Sequence, residues 1–164
     1  MSNIYLSPSS QTANKWTDGT TEAERMQAFS DLVKKGLKAK GHTVYGSDNS
    51  LSLDERIAAS NKLSINAHVA LHSNAGGGKG PEVYYYEGST KGKSLASNIE
   101  SKLKSLYGSS RGLKTGALKE TKETNAVAAL IEIAFHDNSS DVTWMKDNKQ
   151  KIADAIVSGI CNYL

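Results

Sequence analysis

The sequence contains a single cysteine, Cys161, and only two prolines among its 164 residues. One thiol excludes an internal disulfide, and without a Cys-x-x-Cys pair a zinc site built on thiolates is excluded too. A metal site in this chain therefore has to use histidine and carboxylate side chains. No linker rich in proline or glycine divides the sequence, so its length predicts one globular domain.

The sequence also lacks a concentrated block of charge and a long apolar run. Its 20 basic and 17 acidic residues give a formal net charge of +3, and the basic residues are scattered along the chain. This pattern is not typical of a nucleic-acid surface. No apolar run approaches the ~18 residues of a membrane span, and no signal segment opens the sequence. We therefore predict no nucleic-acid partner, no membrane partner and synthesis in the cytoplasm; no protein partner is implied.

Along the sequence, stretches in which the hydrophobic residues follow a strand pattern alternate with stretches in which they recur at helical spacing. Strands are predicted at residues 3–6, 43–45, 65–73, 82–87 and 126–135, and helices at about 22–40, 53–63, 95–106 and 152–163. The first two helices open with capping boxes, Thr21 with Glu24 and Ser52 with Glu55. Because two of the strands are apolar on both faces, we predict a single α/β domain, with a mainly parallel twisted sheet and helices on both faces.

Ligands of such sheets gather where strands end, so the polar residue at the end of the third strand is a candidate. His72 closes this strand and is followed by Ser73, Asn74 and a run of glycines, which leave room for an approaching group. These residue types fit either a hydrogen-bonded core histidine or an imidazole presented to a ligand. His68, deeper in the same strand, is predicted to be structural.

Two glutamates occupy positions at which burial is unusual. Glu132 lies inside the apolar stretch "AVAALIEIAF". A carboxylate buried there needs a balancing partner or a raised pKa. The alternative is that this strand lies at a sheet edge and that Glu132 faces solvent. Glu22 precedes Met26 by four residues and so lies on the buried side of the first helix, although it would also stabilise that helix end simply as a negative charge. Together with His72, the two glutamates predict a carboxylate–imidazole metal site with a separate general base.

Five stretches resemble the zinc-dependent N-acetylmuramoyl-L-alanine amidases of the amidase 3 family, in the endolysin-type branch of clostridial hosts and phages. They are "IYLSPSSQ", "TEAERM", "SLDERIAASN", "HVALHSNAGGGKGPEVYYY" and "LIEIAFHDN", and the resemblance covers nearly the whole chain. It implies a Zn²⁺ enzyme that cleaves the amide between N-acetylmuramic acid and L-alanine in peptidoglycan. It also implies that Glu22 and His72 bind the metal and that Glu132 is catalytic.

The same resemblance sets expectations for the whole protein. Residues 1–164 would form the amidase catalytic domain, compatible with a domain cut from a longer chain that carries a wall-binding module. The protein would act on the bacterial cell wall after release from the cytoplasm.

One part of the family pattern is missing at the start of the chain. The family usually begins with Asp-Pro-Gly-His, whose histidine is the first zinc ligand, and this sequence has "SPSSQ" there. Ser10 takes the position by count, but Gln11 has the longer side chain and a carbonyl oxygen, so we predict Gln11 as the third metal ligand. Such a ligand would bind zinc more weakly than imidazole or favour another metal.

The missing histidine leaves two other hypotheses open. One is a catalytically impaired homologue that binds peptidoglycan without cutting it. The other is a metal-free hydrolase with Ser73 as nucleophile, although the sequence has no Gly-x-Ser-x-Gly elbow.

Overall fold

The computed structural model describes all residues from Met1 to Leu164 as one six-stranded sheet with six helices. The strands are β1 (Asn3–Pro8), β2 (Thr43–Gly46), β3 (Ala67–Asn74), β4 (Glu82–Tyr85), β5 (Gly112–Thr115) and β6 (Val127–Phe135). The helices are α1 (Glu22–Ala39), α2 (Leu53–Asn61), α3 (Thr90–Tyr107), α4 (Lys119–Lys122), α5 (Ser139–Asp147) and α6 (Lys149–Tyr163). The predicted single α/β domain is confirmed.

The sheet has the order β2-β1-β3-β6-β4-β5. Its neighbouring strands run parallel except for β4 against β6, which pair antiparallel. Because β6 lies between β3 and β4, the alternative in which Glu132 faces solvent from an edge strand is wrong.

The capping boxes predicted for α1 and α2 are both present. Thr21 Oγ1 accepts from the Glu24 backbone N–H at 3.1 Å, and the Glu24 carboxylate accepts from the Thr21 N–H at 2.8 Å. Ser52 and Glu55 repeat the arrangement at 3.3 and 2.8 Å. These exchanges satisfy backbone donors that the first turn of a helix leaves free, and they fix where the chain enters each helix.

The two faces of the sheet carry different side chains because neighbouring residues of a strand point to opposite faces. One face contributes to a core cluster of 26 buried residues and packs against α1 and α3, and α6 packs against these two helices and adds its apolar side chains to the same cluster. Its strand residues include Ile4, Leu6, Val69, Leu71, Ile131 and Ile133. We call the opposite face the polar face: it presents Tyr5, Ser7, His68, His72 and Glu132, and residues of α2 and α4 pack against it.

Several predicted boundaries differ from the structure. α2 ends at Asn61 and β4 at Tyr85, both two residues before the predicted ends, while β5, α4 and α5 were not predicted. β5 and α4 have four residues each, too few to show a hydrophobic period, and the nine residues of α5 contribute only Val142 and Met145 as buried apolar side chains. None of the helices has both the length and the apolar character needed to cross a bilayer.

Candidate functional site

The strand register places His72, Glu132 and Glu82 side by side on the polar face. His72 on β3 is opposite Glu132 on β6, and Glu132 is opposite Glu82 on β4. Glu22, the first residue of α1, reaches the same place, with its Oε1 3.1 Å from His72 Nδ1. The structure therefore brings together three of the residues that the sequence selected: Glu22, His72 and Glu132.

Glu22 is a buried and well-partnered carboxylate. Its side chain is 1% exposed, Oε1 also accepts from the Ser73 backbone N–H at 3.3 Å, and Oε2 accepts from Asn14 Nδ2 at 2.7 Å. Burial raises the pKa of Glu22, but hydrogen bonds from His72 and Asn14 outweigh it and hold the pKa below its usual value. Glu22 is therefore ionised and directed at His72. A glutamate that served only to stabilise the N-terminus of α1 by its charge would not need this contact.

Glu132 has the opposite character. Its Oε2 is buried without a hydrogen-bond partner. Burial raises the pKa of Glu132 to about 7; His72 opposes the rise, and the Glu22 and Glu82 carboxylates add to it. A carboxyl group with such a pKa can both take and return a proton near neutral pH, which is what a general base requires.

Glu82 supplies a fixed negative charge next to Glu132. It is 3% exposed and accepts from Arg111 Nε at 2.7 Å, from Asn74 Nδ2 at 2.7 Å and from the Tyr84 hydroxyl at 3.0 Å. Burial raises the pKa of Glu82, but these donors outweigh it and keep the pKa below its ordinary value. Glu82 is not among the residues predicted from the sequence, in which its one signal is a glutamate that opens the aromatic strand "EVYYYE".

Glu120, on α4, faces His72 from the other side and was also missed. Its Oε2 lies 3.9 Å from His72 Nε2, and neither buried atom has a hydrogen-bond partner. Its Oε1 lies 3.1 Å from His68 Nε2, and His68 Nδ1 lies 2.9 Å from Ser60 Oγ. Nothing in the stretch "LKETKE" marks this glutamate, because such a charged run is typical of a solvated helix.

His68 is a core residue, as predicted. It is fully buried and its ring stacks on Tyr5 with centroids 5.1 Å apart. Both of its ring nitrogens have partners, so it needs no ligand.

The residues present offer part of a zinc site. Glu22 Oε1 and His72 Nδ1, 3.1 Å apart, approach the separation of about 3.3 Å expected for two ligands around a tetrahedral zinc ion. Both are donors that zinc prefers, so these two fit the metal. No group of three or more His, Cys, Asp and Glu side chains in the structure could hold a metal ion. A third protein ligand would have to be a neutral oxygen.

Gln11 lies close to these two donors. Together with Ser10, His72 and Glu120 it lines a cavity of about 260 Å³. Its Oε1 accepts from Asn14 Nδ2 at 2.6 Å, and this same amide donates to Glu22. Asn14 therefore connects the predicted neutral ligand to the predicted acidic one.

Ser73 has surroundings that do not suit a nucleophile. It is 4% exposed, and its Oγ accepts from the Trp16 indole N–H at 3.0 Å. His136 Nδ1 lies 3.0 Å from this Oγ and 2.9 Å from the Ser73 carbonyl oxygen. A carbonyl oxygen only accepts, so Nδ1 carries its proton and cannot remove another from the hydroxyl. The alternative of a metal-free serine hydrolase is therefore wrong.

Comparison with known proteins identifies the family. The sequence model named Amidase_3, N-acetylmuramoyl-L-alanine amidase, matches residues 9–162. The chain belongs to this amidase family. Amidases of this family are generally zinc-dependent, and the amidase homologues of this chain act on peptidoglycan.

Individual relatives agree with the family. N-acetylmuramoyl-L-alanine amidase LytC of Bacillus subtilis (strain 168) is 32% identical over 174 residues, which cover 98% of this chain and 35% of LytC. The chain thus spans about a third of LytC. A second relative, the uncharacterized protein YqiI of the same organism, is 34% identical over 157 residues, covering 89% of this chain and 76% of YqiI.

The fold agrees as well. The catalytic domain of the amidase CwlV from Bacillus (Paenibacillus) polymyxa var. colistinus matches with a TM-score of 0.88 at 22% identity, over 99% of this chain and 98% of that domain. The predicted amidase family and the α/β fold are confirmed; the endolysin-type branch stays a prediction. Family membership supports peptidoglycan amide hydrolysis as the activity of this amidase domain and does not favour a homologue that only binds the wall.

Proposed function

We propose that this amidase domain hydrolyses the amide between the lactyl group of N-acetylmuramic acid and L-alanine, with Glu132 as general base and Glu22 and His72 as protein ligands of Zn²⁺. The observation that carries the proposal is Oε2 of Glu132, which is buried without a hydrogen-bond partner on the central strand β6, opposite His72. An uncompensated buried carboxyl is costly to keep, and family membership supplies the reaction that uses it.

The reaction needs a proton acceptor that later acts as a donor. Glu132 takes a proton from the attacking water and returns it to the nitrogen of L-alanine as the amide bond breaks. Bound zinc supplies the lowered pKa of that water and the polarisation of the amide carbonyl. Glu82, fixed by Arg111, keeps a negative charge next to Glu132, which favours uptake of the proton. The ionised Glu22 matches the positive charge of the metal.

We propose Gln11 as the third protein ligand. It lines the same cavity as His72, and its carbonyl oxygen keeps a lone pair free beside the hydrogen bond from Asn14. A neutral oxygen is a poorer zinc ligand than imidazole, so we expect weaker zinc binding than three charged or imidazole donors would give.

The test is digestion of purified peptidoglycan with the full chain. New L-alanine amino groups without new reducing ends identify cleavage of this amide. We expect release that a chelator abolishes and zinc restores, and a loss of about 10²–10⁴-fold in Glu132→Gln. Glu123→Gln, at the exposed glutamate that ends α4 just before β6, is the control for loss of one carboxylate and should keep full activity. Wall binding without release under any divalent metal would refute the proposal.

For the biological setting we propose an endolysin-type enzyme that acts on the bacterial wall after leaving the cytoplasm. The support is the resemblance of the stretches "IYLSPSSQ" and "HVALHSNAGGGKGPEVYYY" to that branch. Purified protein added from outside should lyse clostridial cells faster than cells with another wall chemistry, and equal rates would contradict the assignment. The accompanying wall-binding module stays a prediction.

A further inference from the structure

Two buried polar atoms of the site face each other without a hydrogen bond. His72 Nε2 and Glu120 Oε2 are 3.9 Å apart, and neither has another partner. A donor–acceptor distance of about 2.7–2.9 Å is usual for a charge-assisted hydrogen bond, so the gap is about 1 Å too long. Buried polar atoms rarely remain unpaired, which suggests that the function of the site brings this pair together.

The two ring nitrogens of His72 have different surroundings. Nδ1 donates a hydrogen bond to Glu22 Oε1 at 3.1 Å, and once that proton leaves, the same two atoms are spaced to become ligands of one ion; the 3.9 Å between Nε2 and Glu120 Oε2 exceeds that spacing. A nitrogen that binds a metal must be free of its proton, so a neutral imidazole bound through Nδ1 carries its N–H on Nε2. Glu120 Oε2 is the unpaired acceptor next to that N–H.

The position of the Glu120 side chain is fixed by a second histidine, His68. Its Oε1 is bonded to His68 Nε2, and His68 is fixed by Ser60 and by stacking on Tyr5. Glu120 and His68 are 3% and 0% exposed, so the carboxylate cannot turn away to solvent. Its free oxygen is therefore kept beside His72.

We propose that Glu120 is a positioning residue of the metal site: it accepts the Nε2–H of His72 and thereby presents Nδ1, beside Glu22, to zinc. The inference rests on the proposed function, because it assigns a role within the same metal site. In metal sites the loss of such an outer carboxylate weakens metal binding by about 10–100-fold. We expect a loss of that size in Glu120→Gln, which keeps the shape of the side chain and removes its charge.

The first measurement needs no variant. In zinc-loaded wild-type protein with ¹⁵N-labelled histidine, two-bond ¹H–¹⁵N correlation spectra identify which nitrogen of His72 is protonated. We expect a protonated Nε2 and a metal-bound Nδ1. Zinc bound to Nε2, with Glu120 as a second ligand, would overturn the proposal.

The second measurement compares zinc affinities, obtained by competition with a chromogenic chelator, in the wild type, Glu120→Gln and the exposed control Glu123→Gln. The melting temperature without metal checks that each variant folds, and the rise on adding zinc reports binding separately from folding. Wild-type affinity in Glu120→Gln would refute the proposal. Equal losses in both variants would refute it too, since a general charge effect would then explain them.

The zinc-binding and peptidoglycan results together distinguish the role of Glu120 from the proposed function. Zinc binding that depends on Glu120, without release of amino groups from peptidoglycan, would refute the proposed function and support the role of Glu120. A wild type that binds no zinc would overturn the role of Glu120 together with the proposed metal chemistry.

Discussion

Replacing Glu132 by glutamine should make the metal-free domain progressively more stable relative to the wild type as the pH rises to neutral, while removing its activity. Burial raises the pKa of Glu132 from its ordinary 4.5 to about 7. The folded state therefore binds a proton between these pH values that the unfolded state has already released. The contribution of Glu132 to wild-type stability accordingly falls as the pH rises from 4.5 to 7 and then levels off. At about 1.4 kcal/mol per pKa unit, the full effect is about 3 kcal/mol.

Glutamine cannot ionise, so the variant does not lose this stability as the pH rises. Its amide introduces a cost of about 1–3 kcal/mol if its N–H groups stay unpaired, but that cost does not depend on pH. The free energy of unfolding of Glu132→Gln minus that of the wild type should therefore rise by about 3 kcal/mol between pH 4.5 and pH 8.

The assay is urea unfolding of both proteins in chelator at half-unit pH steps, with Glu123→Gln as the control for loss of one exposed negative charge. The control should follow the wild type across the range. A stability difference between Glu132→Gln and the wild type that stays constant with pH would refute the idea that Glu132 is kept uncharged by its surroundings below about pH 7.

Three further predictions follow from single contacts. Gly159→Ala should destabilise the fold by about 1–3 kcal/mol in thermal unfolding, because a Cβ there would lie 2.6 Å from the Ile99 backbone. The control is Gly36→Ala, which should leave the stability nearly unchanged, because its Cβ would meet only a methyl group of the Val157 side chain, which can move. Arg111→Ala should cost about 1–3 kcal/mol in urea unfolding, because Glu82 loses its cation, and no change would contradict the assigned pairing. Chelator treatment should lower the melting temperature of zinc-loaded wild type, and an unchanged value would argue against a bound ion.

Those parts of the fold that depend on local interactions could be predicted from the sequence. The capping boxes of α1 and α2 are recognisable because the partners are three residues apart. Glu22 could be assigned to the buried side of α1 because helical geometry relates it to Met26, and both are almost fully buried. Glu132 stood out because an ionisable group inside an apolar strand is unusual whatever its neighbours are.

The rest of the site depends on pairs of residues that are distant in the chain. Glu120 and His68 are 52 residues apart, and no pattern within "LKETKE" indicates that one of its glutamates is buried against a histidine. Glu82 gained its place next to Glu132 through the antiparallel pairing of β4 with β6, which hydrophobic periodicity cannot reveal. Periodicity assigns residues to faces, whereas the order of strands decides which residues of a face become neighbours.

The polar face and the core-forming face of the sheet divide the domain into two zones that should respond differently to mutation. The hydrophobic residues that hold the domain together lie against α1, α3 and α6, while Glu132, Glu82 and the His72 ring lie on the other side of the same strands. Changes in the loops and short helices over the polar face therefore leave most of the core contacts intact. Residues on the polar face can accordingly change from one relative to another while the fold stays the same.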